Sequence, residues 1–189
     1  MKSTEAVTAR KIDLTSHRDE ITSEQAAVET PVAIYVNAEL VATLFATPTA
    51  QPELAVGYLI GEGILRSYSD IEDVTWSEGT TTVQVRTKPR AQVRTDAAKV
   101  IRVLTSACGS SDDFHRLLDR IDKPFVKSQF RVSASEIALM MSKFNEYSRK
   151  FREIGSFQYA AAFLTREMKA FFEDVGRHNA VDKTLGSVI

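Results

Sequence analysis

The stretch Phe171–Asp182, Phe-Phe-Glu-Asp-Val-Gly-Arg-His-Asn-Ala-Val-Asp, constrains this chain more than any other. Residues of β type lead into it, and Ala180–Leu185 can wind as a helix. Gly176 lies between them and permits a sharp strand-to-helix turn. Glu173, Asp174, Arg177, His178 and Asn179 crowd that turn, with Asp182 and Lys183 one helical turn further on. The start of a helix presents unpaired N–H groups and partial positive charge, so it favours anions such as phosphate. Arg177 adds a bidentate phosphate donor at the same place. Composition alone fits a capped helix start with solvated charges equally well. The density of unlike functional groups at one tight turn points to a site.

A chain of 189 residues has room for one or two domains with a real core. A net charge of −1 gives no reason to expect nucleic acid as a partner. No apolar run approaches a membrane span, and the N-terminus lacks an apolar signal core. The expected compartment is therefore the cytoplasm, with no membrane partner. The single cysteine, Cys108, excludes a disulfide or a cysteine-rich zinc site within one chain.

Residues 1–28 are polar without a sustained period and are expected to be a flexible segment. Pro31–Val36 and Leu40–Phe45 read as a hairpin around Asn37-Ala38-Glu39, stopped by Thr47-Pro48. Apolar spacing predicts a helix over about Gln51–Glu62, with Gly57 and Gly61 marking close packing or a backbone that must approach something. Ile71–Trp76 and Thr80–Thr87 read as two more strands, so residues 29–99 form a small β-rich subdomain carrying one helix. Lys88–Lys99 reads as a basic, solvated linker. Cys108 sits among small and turn-forming residues, as an exposed loop requires; a buried small hydrophobe is the alternative. Asp113–Ile121 suggests a short helix. Ser133 or Ser135 is expected to cap a helix running to about Arg152, and Ser133-Ala134-Ser135-Glu136 reads as a capping box. Its stripe Ile137, Met140, Met141, Phe144, Tyr147 and Phe151 is expected to be core, and Gly155 ends it. Phe157–Leu164 and Met168–Glu173 read as a second hairpin leading into the opening stretch.

The eleven residues Glu173–Lys183 resemble the signature of the FdhD/NarQ family, sulfurtransferases that serve formate dehydrogenase. Thr47-Pro48 followed by Glu53–Leu59 and Glu62-Gly63-Ile64 is similar to that family's N-terminal region. Cys108-Gly109-Ser110 resembles its sulfur-carrying loop, usually Cys-Gly-x-Cys, with Ser111 in place of the second cysteine. Phe151, Gly155, Ala160 and Ala161 fit a further family pattern, from which Ile154, Ser156 and Gln158 depart. Gln158 stands where the family usually has histidine, and glutamine cannot shuttle a proton near neutral pH.

The resemblance implies an α/β (α+β) fold: a cytidine-deaminase-like mixed-sheet domain over residues 100–189, shorter at its C-terminus than the family's. It implies that Cys108 accepts sulfane sulfur from a cysteine desulfurase as a persulfide. The sulfur passes to the molybdenum or tungsten of a bis-pyranopterin guanine dinucleotide, the bound client, for formate dehydrogenase. Asp174, Gly176, Arg177, His178, Asn179, Asp182 and Lys183 are the expected cofactor-binding residues. A sheet short of strands leaves unpaired edges, so a homodimer is expected. The alternative is a nucleotide- or cofactor-binding scaffold without transfer activity. A zinc deaminase is excluded, because His178-Asn179-Ala180 is not His-x-Glu and no cysteine pair exists.

Overall fold

The computed structural model describes residues 1–94, 103–104 and 127–189. Cys108, its neighbours Gly109 to Ser111 and the helix expected over Asp113–Ile121 lie outside the described residues.

Residues 1–28 depart from expectation. They form strands β1 (Thr4–Asp13) and β2 (Arg18–Ala27), paired antiparallel from Thr4↔Ala27 to Asp13↔Arg18. Backbone pairing and the Arg10–Asp19 ion pair make this hairpin without any apolar period to announce it. The Asp13 carboxylate accepts the N–H groups of Thr15 and Ser16 at 2.8 and 3.1 Å, which shapes the turn.

Strands β3 (Thr30–Val36) and β4 (Glu39–Ala46) form the expected hairpin. Helix α1 (Gln51–Gly61) follows, then β5 (Ile71–Trp76), β6 (Thr82–Thr87) and the short β7 (Val103–Leu104). Together the strands make a mixed sheet in the order β5-β6-β3-β4-β7. The β3–β6 and β4–β7 pairs are parallel, and the other two are antiparallel. Alternation along β3 sends Val32, Ile34 and Val36 inward, where they meet Leu44, Val83 and Val85 and the α1 residues Leu54 and Leu59. Each of these side chains is buried.

The C-terminal half contains α2 (Ala134–Tyr147), α3 (Arg149–Ile154), β8 (Gln158–Leu164), β9 (Glu167–Asp174) and α4 (Arg177–Val188). The capping box is present: Ser133 Oγ accepts from Glu136 N–H at 3.2 Å, and Glu136 accepts from Ser133 N–H at 3.0 Å. The helix expected to reach Arg152 breaks at Ser148, whose ψ of 64° is not helical. Arg152 closes that break, its guanidinium donating to the carbonyls of Asn145 at 2.6 Å and Glu146 at 3.0 Å. Gly155, with φ 77°, ends α3.

The stripe on α2 and α3 is not core. Ile137, Met141, Tyr147 and Phe151 remain 49, 47, 59 and 42% exposed, and Met140 and Phe144 are half-buried. Phe144 packs on Tyr159 and Phe171 with ring centroids 4.6 and 6.1 Å away, and Phe151 lies 5.6 Å from Tyr159. Helical periodicity specifies a face, whereas burial depends on what covers that face. The β8–β9 ribbon is two strands wide and covers the aromatic ridge only.

Helix α4 joins the two halves by packing on α1 and on the ribbon. A Cβ on Gly57 would stand 1.8 Å from the Asp182 carbonyl oxygen, and one on Gly186 would stand 2.0 Å from that of Glu53. The two backbones touch, so both positions exclude a side chain. Gly57 therefore serves the close approach its sequence context suggests.

Candidate functional site

The turn from β9 into α4 is held by a buried polar clasp. Asp174 ends β9 and is fully buried. One of its oxygens, Oδ1, accepts from Gly176 N–H at 2.8 Å and from Asn179 Nδ2 at 3.1 Å. The other, Oδ2, accepts from Thr47 N–H at 3.1 Å and from the Lys183 ammonium at 2.5 Å. Lys183 is also fully buried and donates to the Thr47 carbonyl at 2.9 Å. Asn179 Nδ2 reaches the Phe45 carbonyl at 2.8 Å, and Val175 N–H donates to Thr47 Oγ1 at 3.1 Å. A buried charge is tolerated only when paired and hydrogen-bonded, and here each member of the ion pair has further partners. Burial pushes the Lys183 ammonium below its ordinary value, and the adjacent carboxylate opposes that shift.

The local sequence explains the shape. Gly176 is the N-cap residue of α4, and a Cβ there would lie 2.8 Å from Asn179 Nδ2. No side chain caps the helix start, and Arg177 and His178 are exposed on its first turn. This donor set suits a phosphate: N–H groups at an uncapped helix start, beside an exposed guanidinium.

The expected site residues thus divide. Arg177 and His178 face outward. Asp174, Gly176, Asn179 and Lys183 are buried and shape the turn. Asp182 belongs to neither group: it is half-buried against α1, its Oδ1 lying 3.5 Å from a Cβ built on Gly61. Burial, with the negative charges of Glu62 and Asp174 added, raises its carboxyl to about 7. Burial also pushes Tyr58 up, with Glu62 and Asp182 acting the same way. Glu173 faces away from the clasp and ties α3 to β9, accepting from Lys150 N–H at 3.2 Å.

Sequence reasoning missed Thr47 as a member of the clasp. It stands 127 residues before Asp174, and the resemblance at Thr47-Pro48 does not say what Thr47 touches. Among the described residues no three His, Cys, Asp or Glu side chains gather as metal ligands. None of the described helices is long and apolar enough to cross a membrane.

These features define an α+β protein with a mixed sheet and a helix start bolted to the end of β4. The chain belongs to the FdhD/NarQ family, whose model matches residues 27–189. It is 32% identical over 169 residues to a protein of Listeria innocua named sulfur carrier protein FdhD, a match covering 86% of this chain and 63% of that one. A protein of the same name from Geobacillus kaustophilus is 33% identical over 167 residues, covering 86% and 62%. The chain thus spans less than two thirds of the length of these curated relatives. A crystal structure from Desulfotalea psychrophila, described as that of a formate dehydrogenase accessory protein, superposes with a TM-score of 0.76. That match covers 99% of this chain and 69% of the other at 19% identity, and it establishes the shared fold.

Proposed function

We propose that this protein is a cytoplasmic sulfur carrier for formate dehydrogenase, with Cys108 as the sulfur-bearing residue. The Cys108 thiolate attacks the outer sulfur of a cysteine desulfurase persulfide; the sulfur–sulfur bond there breaks, the desulfurase thiolate leaves, and Cys108 becomes the persulfide. The sulfur is destined for the molybdenum or tungsten of a bis-pyranopterin guanine dinucleotide, which is the client and not a resident group. Arg177, His178 and the first-turn N–H groups of α4 hold a phosphate of that client. Asp174, Gly176, Asn179 and Lys183 keep the turn in shape, and Asp182 braces it against α1. The ribbon edges and the exposed face of α2 are the surfaces on which a homodimer forms.

The observation that carries this reading is the shared direction of two elements. Strand β7 runs parallel to β4, with Leu44 opposite Leu104. The strand β4 runs on to Thr47, the anchor of the clasp. Strand β7, which precedes Cys108 by four residues in the sequence, thus points toward the end of the sheet that carries the clasp.

Intact mass spectrometry after incubation with a cysteine desulfurase and cysteine tests the reading. The wild-type chain is expected to gain one sulfur atom, and Cys108→Ser is expected to gain none. Sulfur gain by Cys108→Ser would refute the assignment of Cys108. Guanosine diphosphate binding without any sulfur gain by the wild type would favour the second reading, a nucleotide-binding scaffold, which Ser111 in place of a second cysteine supports.

A further inference from the structure

We propose that the open edge of β1 pairs with β1 of a second copy of this chain, antiparallel and centred on Thr8. The pairing rests on the homodimer read above and deepens it, adding a contact and fixing that contact's register.

The β1–β2 hairpin is a sheet of its own, and every residue of β1 except Thr4 and Ala9 is exposed. A two-stranded ribbon in water is marginal by itself, and an open edge is a template for another strand. Strand β2 packs on α3, which directly follows α2, so the hairpin adjoins the α2–α3 surface. Among the described residues β1 has no strand neighbour besides β2. Val28 N–H donates to the Ser3 carbonyl at 2.9 Å, one step beyond the Thr4↔Ala27 pair. Bonded and non-bonded pairs alternate along an antiparallel ladder, so Glu5, Val7, Ala9 and Lys11 turn their backbone groups toward β2. Those of Thr4, Ala6, Thr8, Arg10 and Ile12 face outward, ready for a further strand.

Charge sets the register. Glu5 and Lys11 are exposed and form no ion pair or side-chain hydrogen bond among the described residues, whereas Arg10 pairs with Asp19. A two-fold axis perpendicular to the sheet keeps each side chain on its own face. Centred on Thr8, it sets Glu5 of each copy opposite Lys11 of the other. Lys11 already stands across from Glu20 on β2, so each ammonium lies between two carboxylates. Centring on Val7 sets both charges opposite uncharged residues. Centring on Ala9 faces Glu5 with Asp13, and centring on Arg10 faces two guanidinium groups. A lysine on an open edge commonly deters pairing. Here the same edge carries the carboxylate that answers it.

The test is cross-linking of the full chain in a Cys108→Ser background, which is free of other thiols. Thr8→Cys sets two thiols across the axis at a hydrogen-bonded pair, where Cα atoms stand about 5.5 Å apart, within disulfide reach. Ser23→Cys is the control: Ser23 is equally exposed and lies opposite Thr8 on β2, so its two copies are three strand spacings apart, about 14 Å. With oxidised glutathione, Thr8→Cys is expected to give covalent dimer about tenfold faster than Ser23→Cys. Equal rates, or a faster Ser23→Cys, overturn the inference. Glu5→Lys faces Lys11 with a like charge and should slow the Thr8→Cys cross-link about two- to tenfold, and adding Lys11→Glu should restore it. No restoration overturns the register. Glu5 stands opposite Ala26 on β2, so its replacement removes no ion pair from the hairpin itself. Sedimentation of the wild type separates the two readings. A dimer with equal cross-linking at both positions keeps the homodimer and overturns this inference alone, whereas a monomer at micromolar concentration removes both. Should Thr8→Cys fail to fold, amide hydrogen exchange on the wild type reads the same edge. The Ala6, Thr8 and Arg10 amides are expected to be protected at high concentration and to lose protection on dilution, and exchange independent of concentration overturns the inference.

Discussion

The five-stranded sheet with α1 and the β8–β9 ribbon with α2 read alike as apolar patterns and pack differently. On the sheet, Val32, Ile34, Leu54 and Leu59 are fully buried. On α2, Ile137 and Met141 stay about half exposed despite ideal helical spacing. The sheet is wide enough to hold α1 against its face, whereas the ribbon presents two strands to its helices. Helix α4 bridges the halves through touching backbones on one side and the Asp174–Lys183 pair on the other. The stable part of this molecule is thus where α4 attaches, and α2 is peripheral among the described elements.

The contrast can be broken by substitution. Asp174→Ala should cause the largest change, because it leaves the Lys183 ammonium buried without its carboxylate, with the Thr47 carbonyl still beside it. A loss of about 3–5 kcal/mol is expected from urea denaturation. A loss below about 1 kcal/mol would mean that water enters the clasp.

Leu59→Ala and Met141→Ala compare the two halves directly. The first empties a fully buried site and should cost about 2–5 kcal/mol. The second trims a side chain 47% exposed and should cost less than about 1 kcal/mol. Equal losses would show that the α2 face is covered in solution, as a homodimer requires.

Asp182 sharpens the account of the α1–α4 contact through pH. Its carboxyl is raised to about 7 in the folded chain, so the folded state binds more protons than the unfolded state between its ordinary value and 7. Stability should therefore fall as pH rises from about 4 to 7 and level off above that. Asp182→Asn is expected to flatten this fall and to gain about 1–2 kcal/mol at pH 7, after allowance for partial exposure. Thermal denaturation across that range reads it, and an identical slope in the variant would place the cause elsewhere.

A small effect is also expected at the start of α2. Ser133→Ala removes a cap with both reciprocal bonds in place and should cost about 1 kcal/mol. A loss exceeding that of Leu59→Ala would invert the comparison between the halves.

What could be read from the chain alone was local. The β3–β4 and β8–β9 hairpins, the extent of α1, the capping box at Ser133 and the turn at Gly176 all follow from neighbours in sequence. Each depends on backbone propensity, side-chain period or a bond spanning a few residues. The signature over Glu173–Lys183 identified the stretch that carries the candidate site. Tertiary structure decided the rest. It turned Asp174, Asn179 and Lys183 inward and left Arg177 and His178 outside, a sorting that the run Asp174–Lys183 does not announce. It brought Thr47 to Asp174 across 127 residues and set Gly57 against Asp182. It paired residues 4–27 into a hairpin whose backbone bonds need no apolar period, and it left the α2 stripe half exposed. The physical reason is common to all of these: burial and long-range hydrogen bonding depend on which surfaces meet, and only the folded chain determines that.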